Sequence, residues 1–158
     1  EYNRGFYQLM AVFNSSRIGL ASLAFGTSLG AFKEAYKHSR KRKIFGKPIF
    51  DHELKAAEFA ERITMLEAGW LMIKKAAFIS DSGEDFLHNA SMAKLFTTEE
   101  GMEIAQWSAL VFGARGAMDG QKVSSYIFDA HVALVGEGAP EVQKLIISRN
   151  IDRILKEM

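Results

Sequence analysis

Apolar positions recur along the chain three and four residues apart, the spacing that collects them on one face of a helix. Leu9, Phe13, Leu20, Ala24, Thr27 and Ala31 fall close to one such face and predict a helix from about residue 5 to residue 40. Phe59, Ile63, Leu66, Trp70, Ile73 and Ala77 step by four and three in strict alternation, the pattern of a packing seam. Asp51 is a good N-cap for this second helix, and Asp81-Ser82-Gly83 marks its end. A third helix, about 85 to 112, carries Met92, Leu95, Met102, Ala105, Ala109 and Phe112 and stops at Gly113 and Gly116. A shorter helix fits about 121 to 130, and Val132-Ala133-Leu134-Val135 after it reads as irregular or helical rather than as a strand. The last helix begins at Pro140 and includes Val142, Leu145, Ile146 and Ile151. Pro48 and Pro140 are the only prolines, and both stand near helix starts. Inside a helix each would cost about 3 kcal/mol. Three helices of roughly 28 to 36 residues would be about 40 to 55 Å long and must lie side by side. The predicted fold is therefore all-α, an antiparallel four-helix bundle with long helices, as a single domain over residues 1–158.

Composition adds exclusions. The 158 residues suffice for one domain with its own core. Cysteine is absent, which removes disulfides, thiolate catalysis and cysteine-bound metals and suits a reducing compartment. Lys plus Arg is 20 and Asp plus Glu 19, a formal net charge of +1. So balanced a chain is not, as a whole, a binder of nucleic acid or of an acidic membrane. No continuous apolar run approaches the roughly 20 residues that span a bilayer. Glu1-Tyr2-Asn3-Arg4 lacks the basic-then-apolar order of a signal peptide, and Glu rather than Met stands first, so a longer parent protein is expected.

Three segments hold candidate chemistry. Lys37-His38-Ser39-Arg40-Lys41-Arg42-Lys43 runs into Ile44-Phe45-Gly46-Lys47-Pro48. Cations there complement a helix C-terminus, and arginine offers a bidentate fork to phosphate oxygens. A nucleic-acid patch is a further reading, but aromatic residues are not interleaved with the charges. Val135-Gly136-Glu137-Gly138-Ala139-Pro140-Glu141 sets a carboxylate between two glycines at the mouth of a helix. It is either a solvated loop or a general base presented at a bundle end. Phe112-Gly113-Ala114-Arg115-Gly116 reads first as a turn. No dinucleotide fingerprint, phosphate loop or HExxH motif occurs. His38, His52, His88 and His131 do not pair at metal-ligand spacing, and no serine stands in a triad order, so no metal is expected.

Taken in order, Arg17-Ile18-Gly19-Leu20-Ala21, Arg42-Lys43-Ile44-Phe45-Gly46-Lys47-Pro48, Ala93-Lys94-Leu95-Phe96, Phe112-Gly113-Ala114-Arg115-Gly116 and Gly136-Glu137-Gly138-Ala139-Pro140-Glu141-Val142-Gln143 cover nearly the whole chain. This order and spacing resembles the C-terminal helical domain of the acyl-CoA dehydrogenases. The resemblance implies a flavoenzyme of three parts, in which this bundle follows an N-terminal helical domain and a middle β-domain. It implies FAD as cofactor, an acyl-CoA thioester as substrate and α,β-desaturation as the reaction. It also implies a homo-oligomer, dimer or tetramer, with an electron-transferring flavoprotein as acceptor, in the cytoplasm or a mitochondrial matrix. Neither nucleic acid nor a membrane is implied. Residue by residue, Glu137 matches the catalytic base. Arg42 matches the arginine on the FAD pyrophosphate, Phe45 the aromatic beside the flavin, and Gly113 a glycine of the cofactor turn. Asn14, Arg17 and Gly138 match positions on the substrate side.

Departures accompany the match. Leu110 stands where many members have Gln, Gly113-Ala114-Arg115-Gly116 where they have Gly-Gly-x-Gly, and Glu53 where Gln is usual. Ala139 replaces a common Thr or Ser, and Phe128-Asp129 an Arg-Asp pair. Two further readings follow: a non-catalytic oligomerisation module with decayed flavin contacts, and a helical nucleic-acid binder using Lys37 to Lys47. The isolated chain is expected to be inactive and to expose apolar surface where neighbouring domains would sit.

Overall fold

The computed structural model describes residues 4–118 and 120–157. In chain order they form α1 (Gly5–Lys41), a hairpin of β1 (Lys43–Ile44) and β2 (Lys47–Pro48), a 3-10 turn (Ile49–Asp51), α2 (Glu53–Asp81), α3 (Leu87–Val111), a second 3-10 turn (Gly113–Ala117), α4 (Lys122–Val135), α5 (Pro140–Ser148) and α6 (Ile151–Glu157). The all-α bundle expected from the periodicity is the fold observed.

α3 is the central post. It packs against α1, α2, α4 and α5 and buries residues around most of its circumference. The face of α1 that meets the bundle is built from small residues: Ala21, Ala24, Ser28, Ala31 and Ala35 are all buried, with Arg17 above them and Ser39 below. On α3, Ala90, Ala93, Thr97, Gly101 and Ala105 answer them. The approach is close enough that a Cβ on Gly101 would lie 2.6 Å from Ser28 Oγ. At the hairpin end the core becomes aromatic, with Phe59 and Trp107 edge to face at 4.7 Å and Phe32 against both. Trp107 satisfies its buried indole N–H by donating to Glu58 at 2.8 Å.

Several expectations are corrected. Asp51 does not cap α2: it ends the 3-10 turn, His52 holds the cap position, and Asp51 instead pairs with Arg40 at 3.2 Å. Leu9 stays exposed, and Leu20 and Thr27 only half-buried, because the line of closest packing on α1 follows the small residues beside them. On α2, Ile63 and Trp70 lie off the buried line, which runs through Phe59, Leu66, Gly69, Ile73 and Ala76. The final helix is two, broken at Arg149-Asn150, where Asn150 turns its side-chain amide back to Ile146 O at 2.8 Å. Val132–Val135 is helical and completes α4. By length and composition α1 is apolar enough to cross a membrane, although it has no unbroken run of large apolar residues.

Candidate functional site

The turn between α4 and α5 has an unusual backbone. Gly136 is extended, Glu137 has φ 51° and Gly138 φ 103°. A non-glycine residue with φ above zero costs roughly 1 to 2 kcal/mol and persists only where its surroundings impose it. Here they do. Lys94 of α3 is fully buried, and its Nζ donates to Leu134 O at 2.7 Å and to Gly138 O at 2.9 Å. Gln143 of α5, also fully buried, donates from Nε2 to Gly138 O at 3.0 Å and to Glu137 O at 3.3 Å. The loop carrying Glu137 is thus tied by side chains from two helices.

α1 forms the other wall. A Cβ on Gly136 would come within 3.2 Å of the Leu20 side chain, so glycine allows the loop to seat on α1. Three residues before Leu20, Arg17 is buried and donates to Asn14 Oδ1 at 2.7 Å. Burial lowers the Arg17 pKa and the nearby charge of Glu137 opposes that shift. Glu137 Oε2 and Arg17 Nε are both buried without a hydrogen-bond partner in the chain. Burial, then the Arg17 charge, lowers the Lys94 pKa, against the pull of Glu137, Glu99 and Glu141. Asn14, Arg17, Glu137 and Gly138 therefore share one site: a carboxylate, a guanidinium and an amide with hydrogen-bonding capacity to spare. Such a set suits proton transfer at a polarised carbon.

Arg42 and Gly113 share a second region, with Phe45 on the adjoining hairpin. The turn of the hairpin is Phe45 (φ 46°) and Gly46 (φ 85°), with Lys43 opposite Pro48 and Ile44 opposite Lys47. Positive φ at both central residues matches the right-handed twist of the strands. It leaves the Phe45 ring 96% exposed. Arg42 and the Gly113 turn (φ 60°) line a cavity of about 490 Å³ with His38, Leu110, Phe112 and Arg115. An adjoining cavity of about 420 Å³ adds Lys37 and Lys41. The His38 ring stacks on Phe112 at 4.2 Å, and burial with the charges of Arg115 and Arg42 lowers its pKa, which favours neutral imidazole. A cationic wall beside flat aromatic surface suits a phosphate joined to a planar ring system.

The structure does not bring the two groups together. Arg17 lies on α1 and Arg42 caps the C-terminus of the same helix, and 25 residues of helix rise about 37 Å. Glu137 and Phe45 are nonetheless the two non-glycine residues with positive φ among the described residues, one in each group. Sequence reading quoted Lys94, Gln143, His38 and Arg115 without assigning them a role. The one signal for Lys94 was its place in a helical stripe of small residues, Ala90, Ala93, Thr97 and Gly101. Of the departures, Leu110 and Ala114 are exposed and line the cationic cavity, Phe128 and Glu53 are exposed, and Ala139 caps α5 without a side-chain hydrogen bond.

The chain is similar to known proteins. The family model described as acyl-CoA dehydrogenase, C-terminal domain, matches residues 3–151. Cyclohexane-1-carbonyl-CoA dehydrogenase of Geobacter metallireducens is 37% identical over 96% of this chain and 40% of its own length. The CarC subunit of the caffeyl-CoA reductase-Etf complex of Acetobacterium woodii is 35% identical over 94% of this chain and 39% of its own. The structure of butyryl-CoA dehydrogenase from Megasphaera elsdenii superposes with a TM-score of 0.93 at 27% identity, over 96% of this chain and 39% of that one. The chain thus spans about 40% of the length of the curated relatives it matches.

Proposed function

Because the chain belongs to the acyl-CoA dehydrogenase family, as its C-terminal helical domain, we propose that it completes a three-domain, FAD-dependent enzyme that desaturates acyl-CoA thioesters between Cα and Cβ. In this reading Glu137 removes the α-proton. The observation that carries it is the Glu137 carboxylate itself, held in a left-handed backbone with one oxygen buried and unpartnered beside Arg17. An acceptor placed that way has capacity for a proton from a ligand. Asn14, Arg17 and Gly138 would border the thioester.

Acyl-CoA dehydrogenases use FAD, and when bound the flavin supplies the acceptor for the hydride leaving Cβ. The cationic cavity fits such a group: Arg42 would hold its pyrophosphate, with Gly113 against the rest and Arg115 adding a cation, while exposed Phe45 on the neighbouring hairpin would meet the ring system from outside the cavity. The span along α1 between Arg17 and Arg42 is what a site shared between two copies requires, so a homo-oligomer is part of the proposal. An electron-transferring flavoprotein is the proposed acceptor, supported by the relative named as a subunit of an Etf complex. Exposed Leu110 and Phe128, where cofactor-side polar residues are usual in the family, favour the second reading of an assembly module without catalysis.

The test is the full-length protein assayed on butyryl-CoA and cyclohexane-1-carbonyl-CoA, thioesters taken from the names of its relatives. Glu137→Gln is expected to lower turnover by at least about 10²-fold while FAD content and Tm stay at wild type. Undiminished turnover removes Glu137 as the base. A full-length protein that assembles yet never retains FAD establishes the assembly module instead.

A further inference from the structure

We propose that Lys94 is the positioning residue of this site, a buckle that joins the two sides of the α4–α5 turn and fixes the carboxylate of Glu137 at the reacting carbon. The proposal rests on the reading of Glu137 as the base. Three observations lead to it. Leu134, in the last turn of α4, and Gly138, two residues before α5, lie on opposite sides of Glu137, and one ammonium group bonds both carbonyls at 2.7 and 2.9 Å. The turn between them is not self-supporting: Glu137 has φ of 51°, a left-handed conformation that a non-glycine residue leaves readily when unrestrained. The ammonium is also fully buried, which opposes folding, so a methionine of similar length would fill the space at lower desolvation cost. What methionine lacks is the pair of donors. Gln143 bonds the same loop from α5 and sets the peptide after Glu137, but it does not reach across to α4.

This assigns Lys94 no contact with substrate. It acts through the backbone, by keeping the base in the geometry that removes a proton from carbon. Misplacement by about 1 Å costs on the order of 10²-fold in rate.

The experiment compares full-length wild type, Lys94→Met, Lys94→Gln and Glu137→Gln in two measurements. The first is steady-state turnover on whichever of butyryl-CoA and cyclohexane-1-carbonyl-CoA the wild type uses better. The second is hydrogen–deuterium exchange of peptides covering residues 132–143 and the α1–α3 core. In Lys94→Met, kcat is expected to fall about 10²-fold with KM within about two-fold and FAD content unchanged. Exchange should rise in 132–143 and not in the core. Lys94→Gln, which keeps one amide donor, should lie between Met and wild type in both measurements. It also serves as the test variant if Lys94→Met does not fold. The proposal is overturned by kcat within two-fold of wild type, by unchanged exchange in 132–143, or by exchange that rises everywhere together with loss of FAD, the mark of a purely structural lysine. Wild-type turnover in Glu137→Gln overturns the base reading and, with it, the purpose of the buckle. Loss of turnover in Glu137→Gln with normal kcat in Lys94→Met overturns the buckle alone.

Discussion

Gly138→Ala tests whether the shape of the Glu137 turn governs function. Gly138 has φ 103°, a region L-residues scarcely enter, and an added Cβ would lie 2.9 Å from Gln143 Nε2 and 3.5 Å from Val142 Cγ1. The backbone strain is about 1 to 3 kcal/mol. Displacing Gln143 weakens its bonds to Gly138 O and Glu137 O, each worth about 1 kcal/mol net. The substitution therefore costs about 2 to 5 kcal/mol if the turn keeps its shape. The turn will relax to lower this, and relaxation moves Glu137. Gly83→Ala is the control: its φ is 79° and nothing lies within 4 Å of its Cβ, so strain of about 1 kcal/mol is all it incurs. The assay pairs turnover of the full-length protein with its Tm. Gly138→Ala should lower turnover by about 10²-fold. Gly83→Ala should lower only Tm, by about 2 to 4 °C. Wild-type turnover in Gly138→Ala, or an equal loss in Gly83→Ala, refutes the reasoning.

Two further predictions concern stability. Gly101→Ala should destabilise the bundle, because its Cβ meets Ser28 Oγ at 2.6 Å while that hydroxyl is bonded to Ala24 O. With Ser28→Ala the same change should become stabilising by up to about 1 kcal/mol, the helix propensity of alanine over glycine, and additive Tm shifts in the double-mutant cycle would contradict the close α1–α3 packing. Asp85 accepts the Leu87 N–H at the start of α3 and pairs with Arg153 of α6, and the first of these contacts, then the second, lowers its pKa despite partial burial. A depressed folded-state pKa contributes stability that is present above the ordinary carboxylate pKa of about 3.9 and lost as pH falls below it. Asp85→Asn should therefore lower Tm at pH 7, with a difference from wild type that shrinks as pH falls below the ordinary carboxylate range, and a constant difference down to strongly acidic pH would disprove the linkage.

The sequence by itself determined the helices, because 3.6-residue periodicity and the scarcity of proline are local properties of the chain. Gly136-Glu137-Gly138 at the mouth of the Pro140 helix and the Arg42 to Pro48 run were legible for the same reason: short motifs whose residue types state their backbone needs. Which face of α1 packs was legible only in part, at Ala24 and Ala31. Apolar size pointed to Leu9 and Leu20, whereas the bundle closes on Ala21, Ala24, Ser28 and Ala31, because close helix contact depends on what the facing helix leaves room for. The Asp51 cap failed similarly: a residue type that caps helices was drawn into an ion pair with Arg40, a partner on another element. The hairpin went unseen because two-residue strands carry no period, and a phenylalanine with positive φ runs against propensity.

For the candidate site, the carboxylate and the cations could be read from the chain, but their setting could not. Lys94 lies 43 residues before Glu137, and locally only its place in a stripe of small residues distinguishes it from a solvated lysine. Only the packing of α3 against the ends of α4 and α5 buries its ammonium and directs it to Leu134 O and Gly138 O. Likewise, the separation of Arg17 from Arg42 along one rigid helix, and the gathering of Arg42, Arg115 and His38 around a single cavity, are facts of tertiary structure. Burial and direction depend on every element that surrounds a group, whereas the chain in order records only its sequence neighbours.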